Sequence, residues 1–265
     1  MIIKCEQKDE KRILDYIGED YSSCLYLYLN LLKYGIDSDT IEVFIQCEES
    51  VITALLLKYY SCLHVYSKDN SFCADELVAF FSDNSFTILY CTAKTADVVY
   101  AAFSEEFLGK ATMEKGWVAQ IKKIDKEPQR LAEKAKTKDF DQIARLIFDD
   151  EDIGASYRFE ELSKQLEERN QQGYARNLII KQDGIVIAHA CTNAELNNIA
   201  VVAELLVRKE NRRSGYASEI WRDLCGQLLD EGKEVYSFYY SKESEDLHSH
   251  IGFFKVCEWA KIVIV

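Results

Sequence analysis

A run of apolar residues that leads into a glycine turn and then into an amphipathic helix constrains the fold of this chain more than any other feature. The run is Ile199–Val207, and it is too apolar to have one face in water, which predicts a central strand. The turn contains Gly215, and apolar residues at helical spacing predict a helix over Gly215–Glu231. We therefore expect a mixed α/β protein in which this strand and this helix lie side by side.

The turn has the chemistry of a pyrophosphate cradle. A turn that follows a buried strand and opens a helix points several backbone N–H groups outward, and the helix dipole adds partial positive charge. Gly215 lets the backbone approach a ligand closely, and the small Ala217 lets the first helical turn pack near a phosphate. Arg212 and Arg213 add charge-assisted hydrogen-bond donors. The alternative is an ordinary strand-to-helix turn that carries two surface arginines.

The second half of the chain predicts one consecutive order of elements, β-α-α-β-β-β-α-β-α-β. Helical spacing of apolar residues predicts the helices, and alternating or continuous apolar runs predict the strands. Asp183-Gly184 between two apolar runs indicates a hairpin. The predicted elements are strands at Glu133–Thr137, Asn177–Lys181, Ile185–Ala190, Ile199–Val207, Val235–Tyr240 and Phe253–Ile264, and helices at Asp139–Phe148, Ser156–Gln171, Gly215–Glu231 and Glu243–His250.

The first half repeats part of this order more faintly, which predicts a structural repeat. Pro128 is the only proline and lies in a charged segment near the middle of the chain, which indicates a linker. We therefore expect two domains, residues 1–125 and residues 126–265. In the first half the predicted strands are Ile2–Cys5, Ile41–Cys47, Val51–Tyr59 and Thr87–Cys91, and the predicted helices are Lys8–Ile17, Tyr21–Tyr34, Ala74–Phe81 and Ala96–Phe103.

Charge and cysteine content limit the partners and the compartment. The 265 residues include 45 acids and 32 bases, which argues against nucleic acid as a partner because Lys and Arg supply most of the affinity for phosphate backbones. The acidic charge favours the approach of amines, although solubility alone is the stronger explanation. The nine cysteines lack metal-site spacing and lie mostly in apolar stretches, which predicts reduced thiols in the cytoplasm and no metal. Neither a signal peptide nor a membrane-spanning run is predicted.

The turn resembles the coenzyme A cradle of the GNAT superfamily of N-acyltransferases. The segment Arg212-Arg213-Ser214-Gly215-Tyr216-Ala217 has the family's Arg-x-x-Gly-x-Ala spacing. Val207–Arg212 is similar to the family's Val-x-Pro-Glu-x-Arg, with Lys209 in the place of proline. The element order over residues 130–265 is also similar. The resemblance implies acetyl-CoA as cosubstrate and a mixed α/β fold of two GNAT-like domains, each a central, mostly antiparallel sheet flanked by helices.

The resemblance also implies which residues hold the cosubstrate. In the family, the strand before the cradle splays away from the next strand, and the pantetheine arm hydrogen-bonds to strand backbone in the gap. That gap places the thioester carbonyl near a backbone N–H, which stabilises the developing oxyanion. Ser241 stands at the position of a family asparagine. The implied binding residues are Leu205, Leu206 and Val207 on the strand, Arg212, Arg213, Ser214, Gly215, Tyr216, Ala217 and Ser218 in the cradle, and Ser241.

Two residues are candidates for acid–base catalysis. His248 precedes Gly252-Phe253 at the position of the family tyrosine that usually protonates the departing CoA thiolate. An imidazolium can do the same near neutral pH, and the alternative is a solvent-facing or core histidine. Glu204 on the splayed strand is the candidate general base, because a carboxylate in a partly apolar cleft can have a pKa near 7, and the alternative is a structural role. Glu195 and His189 are weaker candidates.

The first half of the chain lacks an Arg-x-x-Gly-x-Gly/Ala segment, so we expect it to have lost CoA binding. In tandem members of the superfamily such a half can help to wall the acceptor site. The candidates for that wall are Tyr26, Tyr28, Tyr59 and Tyr60, although ordinary core packing is the stronger explanation of their spacing.

The leading hypothesis is an enzyme that moves an acetyl (acyl) group from acetyl-CoA to a primary amine of a small molecule or peptide, as a monomer or homodimer. The alternative hypothesis is a non-catalytic, regulatory CoA- or acyl-CoA-binding module, which the departures at Ser241 and His248 favour. A third hypothesis comes from a resemblance to tandem-domain enzymes that add amino acids from aminoacyl-tRNA to cell-wall precursors. The CoA cradle and the acidic charge argue against that one.

Overall fold

The computed structural model describes residues 1–150, 154 and 159–264 of the chain. Contacts divide the chain into two compact units. The first unit combines Met1–Val118 with the residues from Lys255 onward, and the second unit is Ala119–Phe254. The predicted domains, 1–125 and 126–265, stay a prediction, and the contact-based division differs from them most clearly at the last strand of the chain.

The first unit is a mostly antiparallel sheet with helices. Its strands are β1 (Ile2–Lys4), β2 (Ile41–Glu48), β3 (Val51–Tyr59), β4 (Cys62–Tyr66), β5 (Ile88–Thr92) and the first part of β6 (Ala111–Ile121). Its helices are α1 (Glu10–Ile17), α2 (Leu25–Tyr34), α3 (Ala74–Asp83), α4 (Ala93–Ala101) and α5 (Glu105–Leu108).

The second half of the chain has the element order that the sequence predicts, and all of these elements except the last strand lie in the second unit. Its strands are β7 (Glu133–Lys134), β8 (Asn177–Gln182), β9 (Ile185–Leu196), β10 (Ile199–Val207) and β11 (Glu234–Tyr239). Its helices are α6 (Phe140–Phe148), α7 (Phe159–Gln171), α8 (Tyr216–Asp230) and α9 (Lys242–Ile251). The strand order is β11-β10-β9-β8-β7, with β10 and β11 parallel and the other neighbours antiparallel.

The last strand of the described chain, β12 (Phe254–Ile264), completes the sheet of the first unit. It pairs antiparallel with β5, from Trp259 opposite Thr92 to Val263 opposite Ile88. The order in this unit is therefore β1-β2-β3-β4-β5-β12-β6, and β4 and β5 are its parallel pair. Each unit thus combines several helices with antiparallel strands and a parallel pair of strands, which confirms the predicted repeat of a mixed α/β fold.

The core beneath α6 shows why that helix forms where it does. Phe140, Ile143, Ala144 and Ile147 are buried, and they lie three or four residues apart on one face of the helix. They pack against α7 and against residues of β8, β9 and β10. This packing holds the two helices over one face of the second unit's sheet.

Several elements differ from the sequence prediction. The strand β9 continues to Leu196, six residues beyond the predicted end at Ala190. The strands β4 and β6 are absent from the prediction, because β4 is short and Glu114-Lys115-Gly116 interrupts the apolar pattern of β6. The predicted start of the second helix at Ser156 lies outside the described residues. None of the helices in the described part of the chain is long and apolar enough to cross a membrane.

Candidate functional site

The parallel pair of the second unit separates before β10 ends. Pairing between the two strands stops at Val202, which lies opposite Ser237 on β11. The pairing of β10 with β9 continues, but its register shifts between Ala203 and Leu206. Glu204, inside this bulge, has φ +52°, in the left-handed region that non-glycine residues rarely adopt. Because a bulge bends its strand, β10 leaves the ladder with β11 at the position where the sequence places pantetheine binding, at residues 205–207.

The turn between β10 and α8 presents backbone N–H groups to solvent. Gly215 caps the helix with φ +84°, and Arg213 also has a positive φ, +62°. A Cβ at Gly215 would meet no atom within 4 Å, so the space in front of the turn is open. The first hydrogen bond of the helix runs from the Glu219 N–H to the Gly215 carbonyl at 3.1 Å. The N–H groups of residues 216–218 therefore have no acceptor in the helix.

The arginines beside this turn have different surroundings. Arg212 is half exposed, and its Nε donates to the Val207 carbonyl at 3.1 Å. Its guanidinium also lies 3.3 Å from the Asp150 carboxylate, so a bound phosphate must compete with this pair. Arg213 is exposed, as is Ser214. Both arginines thus stand in the turn just before α8, close in sequence to the free N–H groups.

Ser241 begins α9, immediately after β11. Its Oγ accepts a hydrogen bond from the Ser244 N–H at 3.1 Å and so caps the helix. The residue is exposed. The same hydroxyl donates to Ser244 Oγ at 2.9 Å, so both its oxygen and its hydrogen are engaged at the start of the helix. Cosubstrate binding by Ser241 stays a prediction.

The surroundings of His248 argue against the general-acid role predicted for it. Its Nδ1 lies 2.6 Å from the Ser244 carbonyl, which can only accept, so Nδ1 carries the hydrogen. Its Nε2 then accepts from the Ser237 hydroxyl at 2.8 Å. Burial lowers the pKa of His248, so the ring is neutral and has no proton to give from Nε2. The ring packs against Trp221, Tyr239 and Phe253, which is the core alternative of the sequence analysis.

The predicted general base, Glu204, belongs to a polar cluster on the sheet. Its Oε2 lies 3.4 Å from Sγ of the buried Cys191 on β9. His189, two residues earlier on β9, is buried, and burial lowers its pKa to about 3. Burial and the neighbouring Glu204 carboxylate raise the pKa of the Cys191 thiol well above its usual range. Alternation along β9 places His189 and Cys191 on one face. This spacing of two residues is visible in the sequence and could have identified Cys191 as a neighbour of His189.

Glu195, the weaker candidate base, forms ion pairs. Its Oε1 lies 2.8 Å from Arg176 and 3.5 Å from Lys233. Arg176 also pairs with Glu231 at the end of α8, at 2.6 Å. The Glu195 carboxylate is therefore engaged by two cations. These contacts indicate that Glu195 stabilises the start of β8 against α8.

A comparison with protein-family models finds a match to the model described as "Acetyltransferase (GNAT) family". The match covers residues 140–257, which include β10, the turn at Gly215, α8 and α9. These residues form a GNAT domain.

Solved structures extend the likeness of fold to the whole chain. An acetyltransferase of the GNAT family from Colwellia psychrerythraea has a TM-score of 0.63 at 13% identity, with all of both chains covered. A GCN5-related N-acetyltransferase from Sphaerobacter thermophilus has a TM-score of 0.65 at 13% identity and covers 99% of this chain and 94% of its own. A tandem GNAT protein from the clavulanic acid biosynthesis pathway has 0.59 at 8%, covering 99% and 97%. No curated protein matches the sequence.

The two GNAT-like units differ in the segment that follows the first strand of the parallel pair. In the GNAT domain that segment is the open turn at Gly215. In the first unit it is residues 67–73, where several backbone N–H groups are bound by side chains of the same unit. The helix α3 follows, and Asp75 and Glu76 add negative charge to its first turn. These bonds run from Asn70 to Ser67 Oγ (3.0 Å), from Ser71 to Asp69 Oδ1 (3.1 Å) and from Cys73 to Gln46 Oε1 (2.7 Å).

The tyrosines of the first unit mostly pack within it. Tyr28 stacks on Tyr21 with ring centroids 5.2 Å apart, and Tyr59 contacts Tyr34 at 6.0 Å. Both belong to the hydrophobic core of that unit. Tyr60 is the exposed exception among the four tyrosines singled out in the sequence. Core packing therefore accounts for Tyr28 and Tyr59 without a ligand.

Proposed function

We propose that the GNAT domain transfers an acetyl group from acetyl-CoA to a primary amine of a small molecule or peptide. The observation that carries the proposal is the open turn at Gly215. Its free N–H groups and the start of the α8 dipole favour a bound diphosphate, and Arg212 and Arg213 stand directly before this turn. The parallel strands separate beside this turn, which gives the pantetheine arm a path along residues 205–207.

In this reaction the chain binds and orients acetyl-CoA, and one of its side chains accepts the proton of the amine. Acetyl-CoA supplies the acetyl group as a thioester. The amine nitrogen forms a bond to the thioester carbonyl carbon, the carbon–sulfur bond breaks, and the amine proton goes to Glu204 directly or through a water. A thiolate is a tolerable leaving group, so the neutral, buried His248 is not required as an acid. The reduced, largely buried cysteines support a cytoplasmic location.

Titration calorimetry tests the binding half of this proposal. We expect saturable binding of acetyl-CoA with one site per chain, because the N–H groups of Asn70, Ser71 and Cys73 in the first unit are already bound by side chains. The variant Arg212→Ala/Gly215→Glu should lose this binding, since it removes one cation and puts a carboxylate where the diphosphate lies. The matched control is Arg130→Ala/Gly184→Glu, which makes the same changes at exposed residues with positive φ elsewhere in the second unit.

Two results would count against the proposal. Failure of the wild-type chain to bind acetyl-CoA at millimolar concentration would show that the turn at Gly215 does not bind the cosubstrate. Equal binding by the cradle variant and its control would place the ligand elsewhere. A stoichiometry of two would show that the first unit also binds.

The second candidate is a non-catalytic CoA-binding module, which the buried His248 favours. Release of free thiol from acetyl-CoA in the presence of a panel of primary amines separates the two candidates. Binding with amine-dependent thiol release supports the enzyme, and binding without thiol release for any amine supports the module.

A further inference from the structure

Three side chains with metal-binding atoms meet on one face of the GNAT domain's sheet. His189 and Cys191 lie on β9, and Glu204 lies in the bulge of β10. A ring nitrogen of His189, the Cys191 sulfur and a Glu204 carboxylate oxygen all lie within 4.8 Å of one another. These atoms are the nitrogen, sulfur and oxygen donors that zinc-type ions take in proteins.

The histidine of this cluster has one nitrogen engaged and one available. His189 Nε2 lies 2.9 Å from Asn177 Oδ1, an oxygen that only accepts, so Nε2 carries the ring hydrogen. Nδ1 then has an unshared electron pair, and it is buried beside the Glu204 backbone without a hydrogen bond of good geometry among the described residues. A metal-ligating histidine almost always donates its other N–H to an oxygen in this way. A fully buried imidazole nitrogen without a partner otherwise costs free energy.

We propose that His189, Cys191 and Glu204 form a binding site for one zinc-type divalent metal ion. The imidazole Nδ1, the thiolate and the carboxylate are the protein ligands, and the fourth position is left for water or another ligand. Binding transfers the thiol proton of Cys191 to solvent, so two negative ligands offset the 2+ charge. The three ligands come from two strands and include only one cysteine, so their spacing in the sequence matches no common metal-site pattern. This explains why the sequence predicts no metal site.

Geometry and charge set the conditions for binding. Metal–ligand bonds of about 2.0–2.3 Å bring tetrahedral ligand atoms to roughly 3.3–3.8 Å apart. The Cys191 sulfur and Glu204 Oε2 already have this spacing, at 3.4 Å. The Arg169 cation acts electrostatically on the Cys191 thiol, and its guanidinium donates to the Asn193 carbonyl. The soft thiolate and the imidazole favour zinc or cobalt over magnesium or calcium. Because Glu204 is also the proposed general base, a bound ion withdraws it from proton transfer.

Titration of the full-length chain with Co²⁺ tests the site, because cobalt replaces zinc and reports its ligands by absorption. We expect one equivalent to bind, with an intense near-ultraviolet thiolate band that Zn²⁺ abolishes and Mg²⁺ leaves in place. Cys191→Ser should remove the band, and His189→Gln and Glu204→Gln should each weaken binding by at least about tenfold, a loss comparable to that from outer ligand changes. Cys225→Ser, at a buried cysteine of α8, is the matched control and should keep the band.

X-ray absorption of the zinc-loaded wild-type chain keeps the test independent of how the variants fold. We expect one sulfur at about 2.3 Å and nitrogen or oxygen ligands at about 2.0–2.1 Å. A shell with no sulfur, no cobalt band at excess metal, or a band that survives Cys191→Ser in a folded protein would each overturn the proposal.

Discussion

At the scale of single residues, the cradle depends on one glycine conformation. Gly215 has φ +84° and open space where a Cβ would stand. A side chain at this position would therefore have two separate effects, one on folding stability and one on ligand binding. One is the backbone strain of the left-handed region, and the other is obstruction of a ligand. Gly184, in the turn between β8 and β9, has φ +80° and equally open surroundings, which makes it a natural reference.

We predict that Gly215→Ala and Gly184→Ala lower the free energy of unfolding by similar amounts, about 1 kcal/mol each, since both impose left-handed strain. Gly215→Ala should also weaken acetyl-CoA binding at least about tenfold, because its methyl group lies where the backbone approaches the diphosphate. Urea denaturation and calorimetry measure the two effects. Equal acetyl-CoA affinity of the two variants would contradict the assignment of the cradle.

His248 gives a second residue-scale prediction. His248→Ala should lower the free energy of unfolding by about 2–3 kcal/mol, through loss of aromatic packing and of two buried hydrogen bonds. The transfer rate per folded molecule should change less than about threefold, whereas loss of a general acid typically costs a factor of about 10²–10⁴. The control is His250→Ala, at the exposed histidine of the same helix. A large loss of rate in His248→Ala with normal acetyl-CoA binding would restore the general-acid role.

At the scale of elements, the sequence predicts the paired strands and helices of the second unit but not their irregularities. Apolar spacing locates β10 at Ile199–Val207, the bounds found in the structure, and the predicted helix over residues 215–231 differs from α8 by one residue at each end. The bulge at Glu204 cannot be read from period-two counting, because an extra residue reverses the faces beyond it. The metal-type cluster depends on that bulge, so the sequence gives no sign of it.

Because of the bulge, substitutions of Glu204 should affect the folding stability and the transfer activity in different ways. We predict that Glu204→Gly is more stable than Glu204→Ala by about 1 kcal/mol, because glycine adopts φ +52° without the left-handed strain. Both variants should lose most of the transfer activity, since both lack the carboxylate, while acetyl-CoA binding persists. Denaturation and amine-dependent thiol release measure the two properties. Equal stability of the two variants would show that the bulge relaxes, and full activity in either would exclude Glu204 as the base.

At the scale of the whole molecule, three buried histidines link stability to pH. Burial lowers the pKa of His64 to about 4 and that of His189 to about 3, and it also lowers that of His248. The unfolded chain, with histidine pKa values near 6.5, therefore binds more protons than the folded chain between about pH 6.5 and pH 4. Stability is present above this window and is lost as the pH falls through it.

We predict that the urea midpoint falls steadily from pH 7 to pH 5, with each buried histidine contributing up to about 1.4 kcal/mol per pH unit. His64→Gln should reduce the slope, and His250→Gln, at an exposed site, should leave it nearly unchanged. A midpoint that stays constant over this range would show that these histidines remain solvated in the folded chain.

The position of β12 in the first unit has a consequence during synthesis. A ribosome finishes β5 and β6 long before it reaches residue 254, and at usual elongation rates of 5–20 residues per second the delay is on the order of ten seconds. Throughout that delay the edge of β5 that β12 later covers is exposed as an unpaired strand. The nascent chain is thus obliged to hold an incomplete N-terminal sheet until the GNAT domain has been translated, and this interval is when chaperones or premature association would act on it.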